Sequence, residues 1–147
     1  MKITVEDNLK EVSNEVQKSI IQQPSVLQKT LGRTAEFIMT LIKKRTAVGQ
    51  DSEGKQFPKY SSVYAEFRKK SGRQTQYADL NFTGQMLSNM TQRSTPSYAI
   101  IYFANKFQAV KAMGNNNKRK FFTVGERELK PIVSVFMNEY NKLTNRT

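Results

Sequence analysis

The sequence predicts an α+β fold with two N-terminal helices, a small antiparallel sheet with a hairpin, and a C-terminal helix. Three observations lead to this prediction. Apolar residues recur at helical spacing near both ends of the chain, and a run dense in β-formers, YAIIYFA at 98–104, follows a turn. The length of 147 residues is enough for one domain with its own core. We therefore expect residues 1–147 to form a single domain, with a flexible loop at about 47–61.

The N-terminal part of the chain predicts two helices that pack as an antiparallel pair. The apolar stripe of the first helix is formed by Val5, Leu9, Val12, Val16 and Ile20. After Pro24, Ser25 and Gln28 supply a capping signature for the second helix. Its apolar stripe is formed by Leu27, Leu31, Ala35, Ile38 and Ile42. This helix should end through the basic residues 43–45 and stop near Gly49, because cations are favourable at a helix C-terminus.

A loop and a short helix should follow. The loop (GQDSEGKQFPKYSS, 49–62) is rich in Gly, Ser, Gln and Lys, so we expect it to stay solvated or to become ordered only against a partner. A serine at 61 or 62 caps the short helix, which should end at Gly72. Tyr64 and Phe67 lie one helical turn apart, and we favour core packing for both.

The hairpin is the clearest β signal in the chain. A turn that contains Gly84 should lead into one helical turn at 85–88, with its apolar side chains directed inward. Residues 90–94 and 98–104 then form two strands joined by a Thr-Pro-Ser turn. Because Tyr98 to Phe103 is apolar on both alternating sets, we expect this strand to be covered on both faces, the second cover being core or another subunit.

Two helices complete the predicted fold. The first should run from Asn105 to Met113 and end at Gly114. The second, C-terminal helix has a capping pattern at Thr123 and Glu126. Its apolar stripe is formed by Leu129, Ile132 or Val133, Phe136, Tyr140 and Leu143. Pro131 lies inside this pattern, so the helix should either begin there or bend there.

Composition restricts the possible functions. The chain has no Cys and no His, which removes thiol chemistry, Ser-His triads and the commonest transition-metal ligand. No apolar run has the length of a signal peptide or of a membrane span. We therefore expect a protein that is made in the cytoplasm and does not bind a membrane. No cofactor is expected.

The chain is strongly basic, with 24 Lys and Arg against 12 Asp and Glu. Nine basic residues and three acids lie between Lys43 and Arg73, and seven basic residues and two acids lie between Lys106 and Lys130. Such a surface suits a polyanion or an acidic partner. A solvated basic surface without a particular partner explains the charge equally well.

The best enzyme hypothesis is a metal-dependent nuclease that uses carboxylates and a lysine. The segments at 53–55 (EGK) and 128–130 (ELK) imitate its acid and lysine pattern. That chemistry needs a rigid strand and a second carboxylate to hold a divalent cation. The first segment lies in a glycine-flanked loop and the second in a helical pattern, so we do not favour an enzyme.

Aromatic and basic residues interleave between 59 and 77, a mixture that can stack bases while it pairs with phosphates. The aromatic residues are Tyr60, Tyr64, Phe67 and Tyr77, and the basic residues are Lys59, Arg68, Lys69, Lys70 and Arg73. Tyr60 and Tyr77 remain open between base stacking and packing. A second basic run, Lys118, Arg119 and Lys120, is either a contact for DNA or an acidic partner, or a solvated loop.

The order of these segments resembles the virion morphogenesis proteins of tailed bacteriophages, the family that contains the Mu G-type tail completion proteins. The family's glycine-rich loop is matched by Gly49, Asp51, Gly54, Phe57, Tyr60 and Ser61. Its basic helix is matched by Tyr64, Arg68, Lys70 and Gly72, and its turn by Leu80, Thr83, Gly84, Met86 and Leu87. Downstream, Tyr98-Ala99 and the RKFFTVG run at 119–125 are similar to further family elements.

The resemblance implies a non-enzymatic structural protein of the virion that acts at the head-tail junction as a neck, tail completion or tail terminator protein. Its partners would be other copies in a ring, the head-tail connector, tail tube or tail proteins, and packaged DNA through non-specific contact. The residues predicted for partner or subunit contact are Asp51, Lys55, Phe57, Lys59 and Tyr60, within an arm at 50–61. The predicted basic surface consists of Lys69, Lys70, Arg73, Lys118, Arg119 and Lys120. The alternative is a small basic nucleic-acid-binding protein.

Overall fold

The structure is a computed structural model that describes residues 2–4 and 22–145. The described part has an α+β architecture, as the sequence predicts: a small antiparallel sheet is packed with helices. The helix predicted from Val5 to Ile20 lies outside the described residues, and so does the helical pair that it would form.

The long helix α1 (Pro24–Ala47) confirms the second predicted helix. Its predicted apolar stripe is almost completely buried and forms the centre of the core. The predicted capping role of Ser25 is wrong, because the N-cap residue is Gln23 and Pro24 occupies the first helical turn. The proline has a φ suited to this position and lacks an N–H that the first turn would leave unpaired.

The hairpin is confirmed. Strand β1 (Lys2–Thr4) lies at one edge of a three-stranded sheet, and β2 (Met90–Ser94) pairs antiparallel with β3 (Ala99–Phe103). The strand order β1-β3-β2 places β3 in the centre, and both of its pairings are antiparallel. In the turn, the Thr95 N–H donates to the Tyr98 carbonyl at 2.8 Å.

One face of β3 is buried and the other is partly open. Ala99, Ile101 and Phe103 are buried, whereas Ile100 is half-buried and Tyr102 is exposed. The cover predicted for the second face, another subunit, is not present in a single chain, so this part of the expectation stays a prediction. The alternation of side chains places the three buried residues on the side that α1 covers.

Two short helices precede the hairpin. Helix α2 (Ser62–Lys70) begins as predicted, since the Ser61 hydroxyl accepts from the Tyr64 N–H, and it ends before Gly72 with φ of 68°. Helix α3 (Gln85–Ser88) is the predicted single turn. Its two apolar side chains, Met86 and Leu87, are buried as expected.

Helix α4 (Lys106–Lys118) extends further than predicted. The Asn105 side chain accepts from the N–H groups of Phe107 and Gln108 and caps its start. Gly114 does not end the helix, because it does not take the left-handed conformation that a glycine stop requires. After the helix, the Asn116 side chain accepts from the Phe122 N–H at 2.9 Å and holds the returning chain.

The C-terminal helix α5 (Glu126–Thr144) is not capped by Thr123 as predicted, and Glu126 is its first residue. Its N-cap residue is Gly125, whose N–H donates to the Glu128 carboxylate at 3.1 Å. Pro131 lies inside the helix, five residues after its start, and lacks the N–H that would donate to the Arg127 carbonyl. Helix α5 packs on α1, and a 2.6 Å ion pair joins Arg45 to Glu128 across the two.

Candidate binding cleft

The loop at 49–61 is folded on itself by its own hydrogen bonds, while several of its residues remain exposed, as predicted. The Asp51 carboxylate accepts from the N–H groups of Glu53 at 2.9 Å and Lys55 at 2.8 Å. The Phe57 N–H donates to the Gly49 carbonyl at 2.7 Å and closes the loop. Our expectation of an arm ordered only by a partner is therefore wrong, because the chain's own groups satisfy the loop backbone.

Three of the residues predicted for partner contact, Asp51, Phe57 and Tyr60, have roles inside the molecule. Phe57 is 5% exposed and belongs to the hydrophobic core, so it is not available to a partner. Both loop N–H groups donate to the same oxygen, Oδ1, of the Asp51 carboxylate. Lys55 and Lys59 are exposed, and their contact with a partner remains a prediction.

Tyr60 is half-buried and joins the loop to the segment before α3. Its hydroxyl donates to the Asp79 carboxylate at 3.1 Å and accepts from the Leu80 N–H at 2.9 Å. Burial raises the pKa of Tyr60, and the nearby Asp79 charge adds to the rise. The sequence left this residue open between stacking and packing, and the structure places its hydroxyl in an internal network.

Arg68 is the centre of this network and is 1% exposed. Its guanidinium donates to both carboxylate oxygens of Asp79 at 3.0 and 3.2 Å. It also donates to the Gln74 carbonyl at 3.1 Å and the Asn81 carbonyl at 3.2 Å. The guanidinium carbon lies 4.6 Å from the centre of the Tyr60 ring, a cation-π distance. The burial of Arg68 was not predicted from the sequence. The one sequence feature that could have indicated it is the position of Arg68 directly after an aromatic residue in the same helix.

Helix α2 buries a different side chain from the two that we predicted. Tyr64 and Phe67, which we expected in the core, are exposed; the exposed fraction of Phe67 is 53%. They form a surface aromatic row in which the Phe67 ring stacks on Phe82 with centroids 5.5 Å apart. The inward position belongs to Arg68, because Asp79 supplies the charge that its burial requires.

Arg119 does not belong to the predicted basic surface. It is 8% exposed, and its guanidinium donates to the Pro58 carbonyl at 2.7 Å and the Lys59 carbonyl at 2.8 Å. It also lies 5.1 Å from the centre of the Tyr60 ring. Arg119 therefore fastens the end of α4 to the loop before α2. Its neighbours Lys118 and Lys120 are exposed, as predicted.

An open cleft of about 1160 Å³ lies between these elements. Its walls are the loop before α2, the exposed aromatic face of α2, the turn before α3, and one face of α4. The lining residues are Pro58, Lys59, Tyr60, Ser61, Tyr64, Arg68, Leu80, Phe82, Thr83, Gly84, Met86, Gln108, Lys111, Gly114, Asn115, Lys118 and Arg119. None of them is an Asp or a Glu.

The charge of the cleft is positive and only partly compensated. Asp79, behind the wall, pairs with Arg68, but Arg119 is bonded to neutral carbonyls. Lys59, Lys111 and Lys118 are exposed and have no ion pair within 4.0 Å among the described residues. An anionic group would thus find several unpaired cations here.

The remaining predicted basic residues lie outside the cleft. Lys69, Lys70, Arg73 and Lys120 are exposed but do not line it. Lys70 pairs with Glu66 at 3.3 Å, and Arg73 lies 5.6 Å from the centre of the Phe82 ring. The structure thus brings Lys59 and Lys118 to one site and leaves these four on the surrounding surface.

The carboxylates of the nuclease hypothesis have structural partners. The Glu53 carboxylate accepts from the Glu126 N–H at 3.2 Å, at the positive start of α5. The Glu128 carboxylate pairs with Arg45. No group of three or more acidic side chains among residues 22–145 is arranged to hold a metal ion.

Comparison of the chain with protein-family models, with curated proteins and with solved structures found no match. Among the described helices, none combines the length and the apolar character that crossing a membrane requires. The cleft is therefore interpreted from its own chemistry: a preformed, basic and aromatic site on the surface of an α+β domain.

Proposed function

We propose that this chain is a non-enzymatic structural protein of a tailed-bacteriophage virion. It acts at the head-tail junction as a neck, tail completion or tail terminator protein, assembles as a ring, and docks the tail to the head. The observation that carries the proposal is the ordered set of motifs from Gly49 to Leu87, whose residues meet in one folded unit beside the cleft.

The glycines of these motifs support the proposal, because they stand where the backbone requires them. Gly49, Gly54, Gly72 and Gly84 all have φ between 68° and 80°, a conformation that other residues rarely adopt. A Cβ on Gly49 would lie 2.9 Å from the Tyr77 ring. The motif glycines are thus at positions where the backbone conformation favours glycine.

Exposed apolar side chains on two helices supply surfaces for assembly. Phe107 is 77% exposed, and Val110 and Met113 on the same helix are also exposed. On α2, Val63 and Phe67 are exposed. Apolar groups collected on a surface are typical of protein interfaces. Copies of the chain, the head-tail connector and tail tube proteins are the partners that we propose for them.

The net charge of +12 fits a ring that surrounds packaged DNA. Attraction to phosphates is long-ranged and independent of sequence, so a basic lumen would hold DNA without a dedicated site. In this proposal the exposed cations outside the cleft, such as Lys69 and Lys120, face DNA or solvent.

The test is the mass of the purified protein alone and after mixing with connector and tail preparations, measured by sedimentation or native mass spectrometry. We expect a closed species whose mass is a fixed multiple of 16.9 kDa. Phe107→Asp and Val110→Asp should reduce its formation, whereas Lys130→Asp, exposed on α5, should not. Deletion of 50–61 is unsuitable as a test because it removes Phe57 from the core.

A second candidate function is nucleic-acid binding, favoured by the cleft itself. Its unpaired lysines could contact phosphates while Tyr64 and Phe82 stack on bases. A chain of this kind should remain a monomer or dimer and bind duplex or single-stranded DNA with an affinity that falls steeply with salt. Absence of a ring together with such binding would favour this function over the first.

A further inference from the structure

We propose that the cleft binds an acidic segment of a protein partner that also carries apolar side chains. The proposal deepens the assembly function and rests on it for the origin of the partner, a neighbouring protein of the virion. The cleft would then be the binding site through which each copy in the ring recognises that neighbouring protein.

The charge of the lining selects an acidic ligand. Lys111 and Lys118 lie two helical turns apart on α4, and Lys59 lies on the loop across the cleft. Carboxylates along one segment can therefore meet cations on both walls. Because no Asp or Glu is among the lining residues, no carboxylate of the lining competes with the ligand for these lysines.

The apolar border of the cleft selects a protein over a nucleic acid. Residues of α4 are turned by about 100° from one to the next, so Phe107 and Val110 stand beside the lining residues Gln108 and Lys111. The buried Ala112 borders the lining residues of α4 on the other side from Val110. An aliphatic side chain such as Val110 gains nothing from a hydrated phosphate backbone, but it can pack against an apolar side chain of a partner.

The walls of the cleft are preformed, because contacts within the chain hold them together. Arg119 ties the end of α4 to the loop before α2, and Arg68 ties α2 to the segment before α3 through Asp79. Tyr60 lies within cation-π distance of both guanidinium groups. A ligand would thus spend little of its binding energy on ordering the site.

Gly114 offers a way to close the cleft without disturbing the fold. It lines the cleft from within α4, and a Cβ placed on it would meet nothing within 4 Å. Gly114→Trp should therefore occupy part of the cleft and obstruct a ligand, while Gly114→Ala leaves it open and is the matched control. Retained secondary structure and melting temperature in both variants would show that the fold is intact.

The experiment begins with selection of a random peptide library on the immobilised protein. We expect enrichment of peptides that combine Asp or Glu with apolar residues. The most enriched peptide is then synthesised with a fluorescent label, and its Kd is measured by anisotropy. Gly114→Trp should weaken binding by about 10-fold or more, the loss of about 1.4 kcal/mol, and Gly114→Ala should bind as the wild type does.

A pair of charge variants separates the cleft from the general positive charge. Lys111→Glu/Lys118→Glu should weaken peptide binding by about 10-fold or more. Lys69→Glu/Lys120→Glu changes the net charge equally outside the cleft and should have a much smaller effect. Equal effects of the two double variants would overturn the proposal, and so would selection without acidic enrichment or binding unaffected by Gly114→Trp.

An oligonucleotide provides the last comparison. If a single-stranded thymidine 20-mer bound more tightly than the selected peptide and lost its affinity in Gly114→Trp, the cleft would be a nucleic-acid site and the proposal would be wrong. The assays use the purified chain alone and need no ring. Failure of the cleft to bind peptides would therefore leave the ring measurement, and with it the proposed function, to be decided separately.

Discussion

Replacement of Arg68 by Met should destabilise the fold severely. Methionine retains an unbranched apolar side chain but lacks the positive charge that balances Asp79, whose side chain is 13% exposed. Loss of one partner from a buried ion pair costs about 3–5 kcal/mol. The carbonyls of Gln74 and Asn81 also lose their donor, so we expect a loss of about 4 kcal/mol or more in the free energy of unfolding.

Urea unfolding followed by circular dichroism measures this loss. With a slope of about 2 kcal/mol per molar, the midpoint should fall by about 2 M. The matched control is Lys70→Met, which breaks a pair whose side chains are 75% and 67% exposed and should cost less than about 0.5 kcal/mol. Arg68→Met/Asp79→Asn should recover about 1 kcal/mol or more, because it removes the unpaired charge. A loss below about 1 kcal/mol for Arg68→Met would refute this account of the network.

Three further predictions concern single residues. Gly49→Ala should lower the free energy of unfolding by about 2 kcal/mol or more, because Gly49 has a left-handed backbone and a Cβ there would lie close to Tyr77. Gly72 is also left-handed but lies in open space, so Gly72→Ala should lower it by only about 1 kcal/mol. Equal losses for the two variants in urea unfolding would contradict this explanation. Gly114→Ala should raise the unfolding free energy by about 0.5–1 kcal/mol as it removes a helical glycine, and a lower melting temperature would argue against the open space around it. Because the pKa of Tyr60 is raised in the folded chain, its protonated hydroxyl stabilises the fold fully below the ordinary value of about 10, and this contribution is lost as pH rises from there through the raised pKa. The advantage of the wild type over Tyr60→Phe in unfolding free energy should therefore fall above about pH 10, and an advantage that grows there would show the opposite sign.

Local patterns in the sequence predicted the elements that local physics determines. The apolar stripe of α1, the Ser61 cap of α2 and the strands of the hairpin each depend on residues a few positions apart. The bounds of α4 were missed because a glycine inside a helix looks the same in sequence as a glycine that ends one. At Gly114 the backbone remains helical, a property that the residue type alone does not determine.

The cleft could be predicted only in part. Lys59 and Lys118 were identified as basic contact residues, but their approach to one another depends on Arg119, which bonds carbonyls about 60 positions earlier in the chain. The loop before α2 was misjudged because composition does not show that the Asp51 side chain will satisfy its backbone. Arg68 was assigned no burial because Asp79, its counter-charge, becomes its neighbour only after folding.

The central claim is assembly into a ring, and the most direct measurement is the mass of the protein with and without connector and tail preparations. The account predicts a closed species with a fixed multiple of the 16.9 kDa chain, visible as a ring by negative-stain electron microscopy. A chain that stays monomeric in both conditions while it binds DNA in a strongly salt-dependent manner would contradict it.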